Sequence, residues 1–483
     1  MAEIPTMEKI VALSKRRGFI FPSSEVYGGI NGFWDYGPLG AELKRGLRDL
    51  WWRSMVRMRD DIVGLDASII MHPAIWKASG HTDTFSDPMV DCKTCKGRFR
   101  ADQLDSSPCL QRPSKMVSQC EGEKTEPRAF NLMFKTYTGP IESENNIAYL
   151  RPETAQAIFV QFKNVLDTAR QKVPFGICQI GKAFRNEINP RNYTFRSREF
   201  EQMELEFFIK PDEIVKTISG SVAALTPETD LEHPQPNWGW EVWHKYWVQQ
   251  RLTWYESIGL KRDNLEEYWQ KKEELAHYAK ATVDILYKFP FGAQELEGIA
   301  ARGSFDLTQH QVHSGKSMEY FDEETKCKYV PHVIEPSAGL DRLVLALLCQ
   351  AYAEEEITDE KGNKEIRVVM RLHPRVAPIK VGIFPLLKNK PELVAKAREV
   401  HNLLRSHLNV LYDDSGAIGR RYRKIDEVGV PYGITIDFET LEGAKEGVLA
   451  GQKNTVTLRH RDSMQQERIR MEDLLGKLLP TVV

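Results

Sequence analysis

Between Phe184 and Phe208 the chain reads FRNEINPRNYTFRSREFEQMELEFF, and these side chains could do chemistry on a nucleotide. Arg185 and Glu187 stand two apart, so an extended backbone turns both to one side. Ile188 to Ser197 is rich in Asn, Pro and Arg and reads as a polar loop. Arg196 then leads to Phe200 as Arg-x-x-x-Phe. Beyond it Met203, Leu205 and Phe207 alternate with Gln202, Glu204 and Glu206, the period of a half-buried strand. The expected unit is a long hairpin with two arginines, a carboxylate and an aromatic ring at its mouth. Guanidinium groups bind phosphate oxygens, a ring stacks on a base, and a carboxylate accepts from an exocyclic amine. The blander alternative is a hairpin with solvated charges.

Other segments carry candidate chemistry. Cys92-x-x-Cys95 is followed by Cys109 and Cys120. A knuckle with two further thiols could hold zinc, but the second pair departs from a four-cysteine ribbon, so reduced, unligated thiols are the default. Arg98, Arg100 and Asp102 are charged on alternate positions, as solvated surfaces often are. In Tyr149-Leu150-Arg151-Pro152-Glu153-Thr154-Ala155-Gln156, Pro152 suits a first helical turn, which places Glu153 at a helix amino terminus. A capping role and a substrate-facing role are both open for it. Glu295 and Glu297 have strand spacing, and carboxylates facing phosphates would hold Mg²⁺. Glu335-Pro336-Ser337-Ala338-Gly339-Leu340-Asp341-Arg342 runs into an apolar helix. A cation at that positive helix end needs an anion to meet, which points to phosphate.

The elements that must position these residues are legible in outline. A chain of 483 residues, 41% hydrophobic, can hold two or three domains. The formal charge of −2 is no global sign of nucleic-acid binding. No apolar run approaches a membrane span, and the amino-terminal stretch has amphipathic helix spacing without an export signal. Seven cysteines without such a signal imply reduced thiols. Lys9–Arg17 and Ala41–Met58 read as helices, and Tyr36-Gly37-Pro38-Leu39-Gly40 as a turn able to bring backbone near a ligand. A strand ends at Met71-His72-Pro73. Lys210 to about Phe289 reads as helical. Its Trp238, Trp240, Trp243 and Trp247 have core spacing, with RNA stacking as the alternative. Glu354–Glu365 reads as a surface loop. From Pro378 strands and helices alternate in a slightly basic α/β unit. There Arg420, Arg421, Arg423, Lys424 and Arg459-His460-Arg461 are either phosphate contacts or solvated faces.

The hairpin resembles motif 2 of the class II aminoacyl-tRNA synthetases. The helix before Pro73 is similar to motif 1, and EPSAGLDR to motif 3. With YGPLG, RPETAQ and the terminal α/β unit, the chain resembles the dimeric-type glycyl-tRNA synthetases over nearly its whole length. The resemblance implies an α+β fold: an antiparallel class II core over 1–375, with insertions at about 91–127 and 210–289, the second a helical one with possible contact to the tRNA acceptor stem. An anticodon-binding domain over 378–483 follows. It implies a cytoplasmic homodimer that joins glycine to its tRNA with ATP and Mg²⁺. For ATP it implies Arg185, Asn186 and Glu187, then Phe195, Arg196, Ser197, Arg198, Glu199 and Phe200, with Glu295, Leu296, Gly339, Leu340, Asp341 and Arg342. Arg185 would bind the α-phosphate and the attacking carboxylate, and Glu187 the adenine amine. Phe200 and Arg342 would sandwich adenine, Arg196 and Arg342 would meet the γ-phosphate, and Glu295 would hold Mg²⁺. For glycine it implies Arg100 and Glu153, the run Phe200, Glu201, Gln202, Met203, Glu204, and the run Glu335, Pro336, Ser337, Ala338, Gly339. Alternatives are a sister class II synthetase and a non-catalytic polymerase accessory subunit related to this family.

Overall fold

The computed structural model describes residues 6–358, 362 and 364–482. Seven strands form the central sheet: β1 (Ile62–Gly64), β2 (Phe175–Phe184), β3 (Glu199–Ile209), β4 (Leu265–Trp269), β5 (Ala281–Phe289), β6 (Gly292–Gly303) and β7 (His332–Gly339). Their spatial order is β4-β5-β6-β7-β3-β2-β1, antiparallel throughout except where β1 joins β2 in parallel. The hairpin of β2 and β3 is the expected one, paired from Phe175 opposite Phe208 to Phe184 opposite Glu199.

β3 is buried on both faces. Met203, Leu205, Phe207 and Ile209 enter the main core, where the Phe207 ring lies 5.0 Å from Trp243 and 5.1 Å from Trp247. Those tryptophans belong to α1 (Trp240–Ser257). Trp238, Trp243 and Trp247 are buried, which removes them as RNA-stacking platforms, while Trp240 is half-buried. The helical reading holds for Asp212–Ser219 and for α1, and fails from Leu265 to Phe289, which forms β4 and β5. Val283, Ile285, Tyr287 and Phe289 are buried there at period two, the signal that outweighs the helix-favouring Lys and Glu between Glu266 and Lys280.

Other expectations shift in detail. The edge strand beside the hairpin is β1, which contains no proline. Ile70–Met71 instead joins a small sheet with Ile147–Leu150, and Pro73 opens a short helix. Pro38, Leu39 and Gly40 are the first turn of a helix, Pro38–Trp52, rather than a ligand-facing turn. Gly40 is required by packing, since a Cβ there would lie 1.8 Å from the Phe19 carbonyl. The first helix is Met7–Arg17, and the expected amphipathic pattern before it reaches residues outside the described ones. Glu354–Glu365 is mostly a hairpin, Tyr352–Thr358 against Lys364–Met370, and residues 359–361 and 363 of that stretch lie outside the described residues.

The carboxyl-terminal sheet comprises Val381–Pro385, Val410–Tyr412, Tyr432–Ile436, Thr455–His460 and Gln466–Arg470, over a separate core with the helix Pro391–Arg405. Its basic clusters are mostly spent on the protein itself. Arg421 donates to the carbonyls of Pro385, Asp414 and Gly416, Arg459 pairs with Asp426 at 2.9 Å, and Arg461 with Asp462 at 2.7 Å. Lys424 pairs with Asp413 at 2.9 Å and Arg423 with Glu365, while Arg420 is exposed.

Candidate active site

Alternation along three strands builds one cleft of about 410 Å³ over the middle of the sheet. β3 contributes Phe200, Gln202 and Glu204, β7 contributes Glu335, Ser337 and Gly339, and β6 contributes Glu295, Gly298, Ala300 and Arg302. These are neighbours by register: Glu204 lies opposite Ser337, and Ala300 opposite Glu335. The loop between β4 and β5 adds Gln270, Glu274, Ala276 and Tyr278. Arg185, Glu187, Thr194, Phe195, Arg196 and Ser197 come from the hairpin loop, and Arg342 from α2 (Leu340–Ala351).

The same alternation removes several expected residues from the cleft. Glu201 points through the sheet, where it pairs with Lys44 at 3.1 Å and Arg48 at 3.2 Å. Met203, Ala338, Leu296 and Leu340 are buried in the main core, and Pro336 is buried on the same alternate face. Asn186 is fixed through its N–H, which donates to the Leu132 carbonyl at 2.8 Å. Arg198 ties the loop to backbone, donating to the carbonyls of Glu187 and Asn31, and Glu199 pairs with Lys182. Asp341 lines the cleft but is fastened to the Tyr36 hydroxyl (2.5 Å), Lys44 (2.8 Å) and the Glu201 N–H (2.7 Å).

Glu295 and Glu297 do not face the same way. The ladder between β5 and β6 slips at Leu296, so Glu297 opposes Ile285 while Glu295 opposes Leu286. This bulge returns Glu295 to the cleft face and buries Glu297 against Arg251 at 2.8 Å. The carboxylate beside Glu295 is Asp284; burial and then the Glu295 charge raise it to about 6, with Gln270 opposing.

Cations gather at one end of the cleft. Arg185 donates to the Pro152 carbonyl at 3.0 Å, and its guanidinium lies over the Phe200 ring at 5.3 Å. Arg342 lies over Phe195 at 4.5 Å and meets Glu295 at 3.2 Å. Arg196 stands 3.7 Å from Glu187. A buried oxygen of Glu187 and a buried Nη1 of Arg196 make no hydrogen bond among the described residues. Two such groups side by side are costly unless something meets them. Arg100 does not line the cleft. It is held at 2.7 Å by Asp87 and 2.8 Å by Asp102, at the margin where it still senses the charges of Glu187 and Arg196.

Anions gather at the other end, around a cation that the sequence reading overlooks. Arg302 pairs with Glu335 at 2.7 Å and with both oxygens of Asp306 at 2.8 and 2.9 Å, and lies over the Tyr278 ring at 3.9 Å. Glu204 accepts from Ser337 at 2.7 Å and from Thr154. Glu153 lies just before the helix Ala155–Ala169 rather than in its first turn, and so does Pro152; His81 stands 3.4 Å from it and Gln156 3.1 Å. Burial pushes Glu153 up, but His81, Arg302 and Arg185 outweigh it and hold the carboxyl well below the usual range. Burial pushes Glu335 up to about 8 against the pull of Arg302. Glu204, Glu206 and Glu335 each bring one oxygen within 4.8 Å of the others.

Glu206 is fully buried at the back of this group, with no partner for either oxygen. Burial first, and then the Glu335 charge, raise its carboxyl well above the ordinary value, so it holds a proton. A raised acid binds its proton more tightly in the folded chain. Its stability contribution is therefore present at low pH and is lost as pH rises from the ordinary carboxylate value toward the raised one. Glu206→Gln removes that loss. The variant is expected to gain on the parent in melting temperature as pH climbs from about 5 to about 9. Thermal melts across that range check it, and a difference that stays flat with pH contradicts the assignment.

Residues 136–226 match a family model described as the tRNA synthetase class II core domain (G, H, P, S and T), and residues 380–480 match one described as an anticodon binding domain. The chain is 48% identical to the glycine–tRNA ligase of Thermobifida fusca, over 98% of this chain and 97% of that one. It is 50% identical to that of Borreliella burgdorferi (strain ATCC 35210), covering 97% and 96%. It is 47% identical to that of Thermus thermophilus, covering 98% of each. These relatives lend no support to the accessory-subunit alternative. With a class II core, an anticodon-binding domain and near-complete alignment at about half identity, this chain belongs to the glycine–tRNA ligase family.

Proposed function

We infer that the cleft joins ATP and glycine as glycyl-adenylate, and that the glycyl group then passes to the 3′ end of a glycine tRNA held by the carboxyl-terminal domain. One observation carries this reading: the cleft has a cationic end at Arg185, Arg196 and Arg342 and an anionic end at Glu153, Glu204 and Glu335. Glycine is a zwitterion and can bridge the two. Its ammonium group would meet the carboxylates, leaving its carboxylate beside Arg185.

The carboxylate of glycine is the nucleophile, attacking the α-phosphorus as pyrophosphate leaves. Both reactants are anionic, so the protein's task is alignment and charge compensation. Arg185 would hold the attacking carboxylate and the α-phosphate together. Arg196 and Arg342 would meet the γ-phosphate. The Glu187 oxygen that lacks a hydrogen bond would accept from the adenine amine while the base stacks on Phe200. Glu295, with Asp284 beside it, fits a hard cation that keeps most of its ligands from phosphate and water, and Mg²⁺ bound there would supply counter-charge to the triphosphate.

Selectivity for glycine comes from a wall that does not yield. Ser337 donates to Glu204 at 2.7 Å and accepts from Gln202 at 3.3 Å, so the strand face beside the α-carbon is fastened on two sides. Ser337→Ala releases both fastenings. Discrimination against alanine should fall by roughly tenfold, the scale of one methylene in a fitted pocket. Unchanged alanine activation in pyrophosphate exchange would refute this.

The proposal extends to the assembly. The catalytic domain would span 1–375, with insertions at about 91–127 and 210–289, and the anticodon-binding domain 378–483. A second copy would pack at the β1 edge, where a groove is lined by Trp52, Leu65 and Ile180 together with the charged Arg45, Arg48, Asp49, Arg57 and Asp66. The cysteines of the described chain are all free, as suits a cytoplasmic enzyme. No helix among the described residues is long and apolar enough to cross a membrane. Pyrophosphate exchange across all twenty amino acids tests the whole reading. Exchange with glycine alone is expected. Exchange with another amino acid would overturn the pocket, and none at all from folded protein would overturn the reaction.

A further inference from the structure

The insertion between Asp91 and Pro127 is built around thiols more than around an apolar core. Its sheet has three short strands, Ser86–Asp91 between Arg98–Arg100 and Arg128–Asn131. The apolar side chains fully buried with Cys92 there are Val90, Phe99 and Val117. A core of that size does not order a segment of this length unaided.

Four cysteines converge instead, on three separate turns. Cys92 and Cys95 bracket a tight turn in which Lys96 takes φ 60°, its N–H donating to the Cys92 carbonyl at 2.9 Å while the Cys92 N–H donates to Gly97. Cys109 opens a second turn, closed by its own N–H on the Lys115 carbonyl at 2.9 Å. Cys120 ends a third, the short helix Val117–Gln119. The Cys92 thiol neighbours those of Cys95 and Cys120, and the Cys109 thiol neighbours the same two. The four sulfurs therefore form a ring. Cys92 and Cys109 are 1% and 3% exposed. A Cβ on Gly122 would lie 2.8 Å from the Cys92 sulfur, so the chain closes tightly on that side.

The backbone is also aimed at the sulfurs. The N–H groups of Thr94 and Cys95 reach the Cys92 sulfur, and those of Gln111 and Arg112 the Cys109 sulfur. Each of these sulfurs thus has the amides two and three residues onward turned toward it. The irregular spacing then has an explanation. Arg112 stands where a second knuckle would place its cysteine, and Cys120 supplies the fourth sulfur from the next turn.

We propose that Cys92, Cys95, Cys109 and Cys120 hold one zinc ion in a tetrahedral thiolate shell. Binding replaces four thiol protons by the ion and draws the diagonal pairs, Cys92 with Cys109 and Cys95 with Cys120, slightly inward. The ion orders a segment that braces the active-site loop. Asn189 of that loop donates to the Arg98 carbonyl at 3.2 Å and accepts from the Arg100 N–H at 3.3 Å, and Arg191 donates to Ser106 at 3.2 Å.

Elemental analysis of the full-length protein, purified without added metal or chelator, tests this. One zinc per chain is expected, lost in Cys92→Ser and Cys109→Ser and retained in Glu206→Gln. Exchange with Co²⁺ should give the thiolate-to-cobalt absorption of a tetrahedral sulfur site. Stripping with a chelator should expose four more thiols to a thiol reagent and open the 92–120 segment to limited proteolysis. Should the serine variants fail to fold, the stripping experiment on the parent decides. Protein that holds no zinc and takes up none from a Zn²⁺ buffer would overturn the proposal. So would disulfides among these cysteines, iron in place of zinc, or zinc retained in both serine variants.

Discussion

Arg185→Gln is expected to lower glycine-dependent pyrophosphate exchange by about a thousandfold, roughly 4 kcal/mol of transition-state stabilisation. Negative charge at the α-phosphorus and its oxygens redistributes as the carboxylate attacks, and Arg185 is the cation of the cationic end whose charge still reaches Glu153 at the other. Its orientation is set in advance, with one N–H on the Pro152 carbonyl at 3.0 Å and its plane over Phe200 at 5.3 Å and Phe85 at 5.4 Å. Glutamine keeps hydrogen-bonding capacity and loses charge. Arg185→Lys should recover little, because an ammonium cannot present two parallel donors to a carboxylate and a phosphate. The loss should fall mainly on kcat, since the contact strengthens as the reaction proceeds. Melting temperature should hardly move, because the side chain makes one backbone hydrogen bond and ring contacts. Exchange within tenfold of the parent, in a folded variant, would remove Arg185 from the reaction.

How far such residues could be found without coordinates depended on whether their partners were near in sequence. Arg185, Glu187, Arg196 and Phe200 sit on one hairpin, whose period-two pattern and polar loop are local signals. Alternation was legible too, and applied strictly it separates Phe200, Gln202 and Glu204 from Glu201 and Met203. The resemblance named all five as one run. The Leu296 bulge was not legible, because it exists only in the pairing of β6 with β5. That slip decides that Asp284, not Glu297, stands beside Glu295. Leu265 to Phe289 reads as helix when its Lys and Glu are weighed, and as strand when Val283, Ile285, Tyr287 and Phe289 are. Tertiary burial settles that contest in favour of strand. Basic runs behave alike: Arg421, Arg459 and Arg461 look like phosphate contacts until Asp426, Asp462 and the carbonyls they meet are placed beside them. Arg302 had a faint local signal in Asp306, four positions on, but its second partner, Glu335, comes from β7.

Arg302→Met should have the largest effect on stability and should also weaken glycine binding. Arg302 is buried among Asp306, Glu335, Glu204 and Glu206, and is the cation in closest contact with that group. Removing one partner from a buried ion network costs about 3–5 kcal/mol, because the remaining charges stay without compensation. Glu335, which burial already lifts to about 8, would be lifted further, since Arg302 is what opposes its rise, and the ionised fraction able to meet an ammonium group would shrink. A protonated Glu335 no longer attracts an ammonium group. The Michaelis constant for glycine should therefore rise by about tenfold or more, the scale of a lost charge-assisted hydrogen bond, while that for ATP stays near the parent value. A merely structural role is separated by the double variant Arg302→Met, Asp306→Leu. Taking away the orphaned Asp306 charge should restore much of the melting temperature without restoring glycine affinity. If instead glycine affinity returns together with stability, Arg302 positions nothing for the substrate and serves only to neutralise the core behind it.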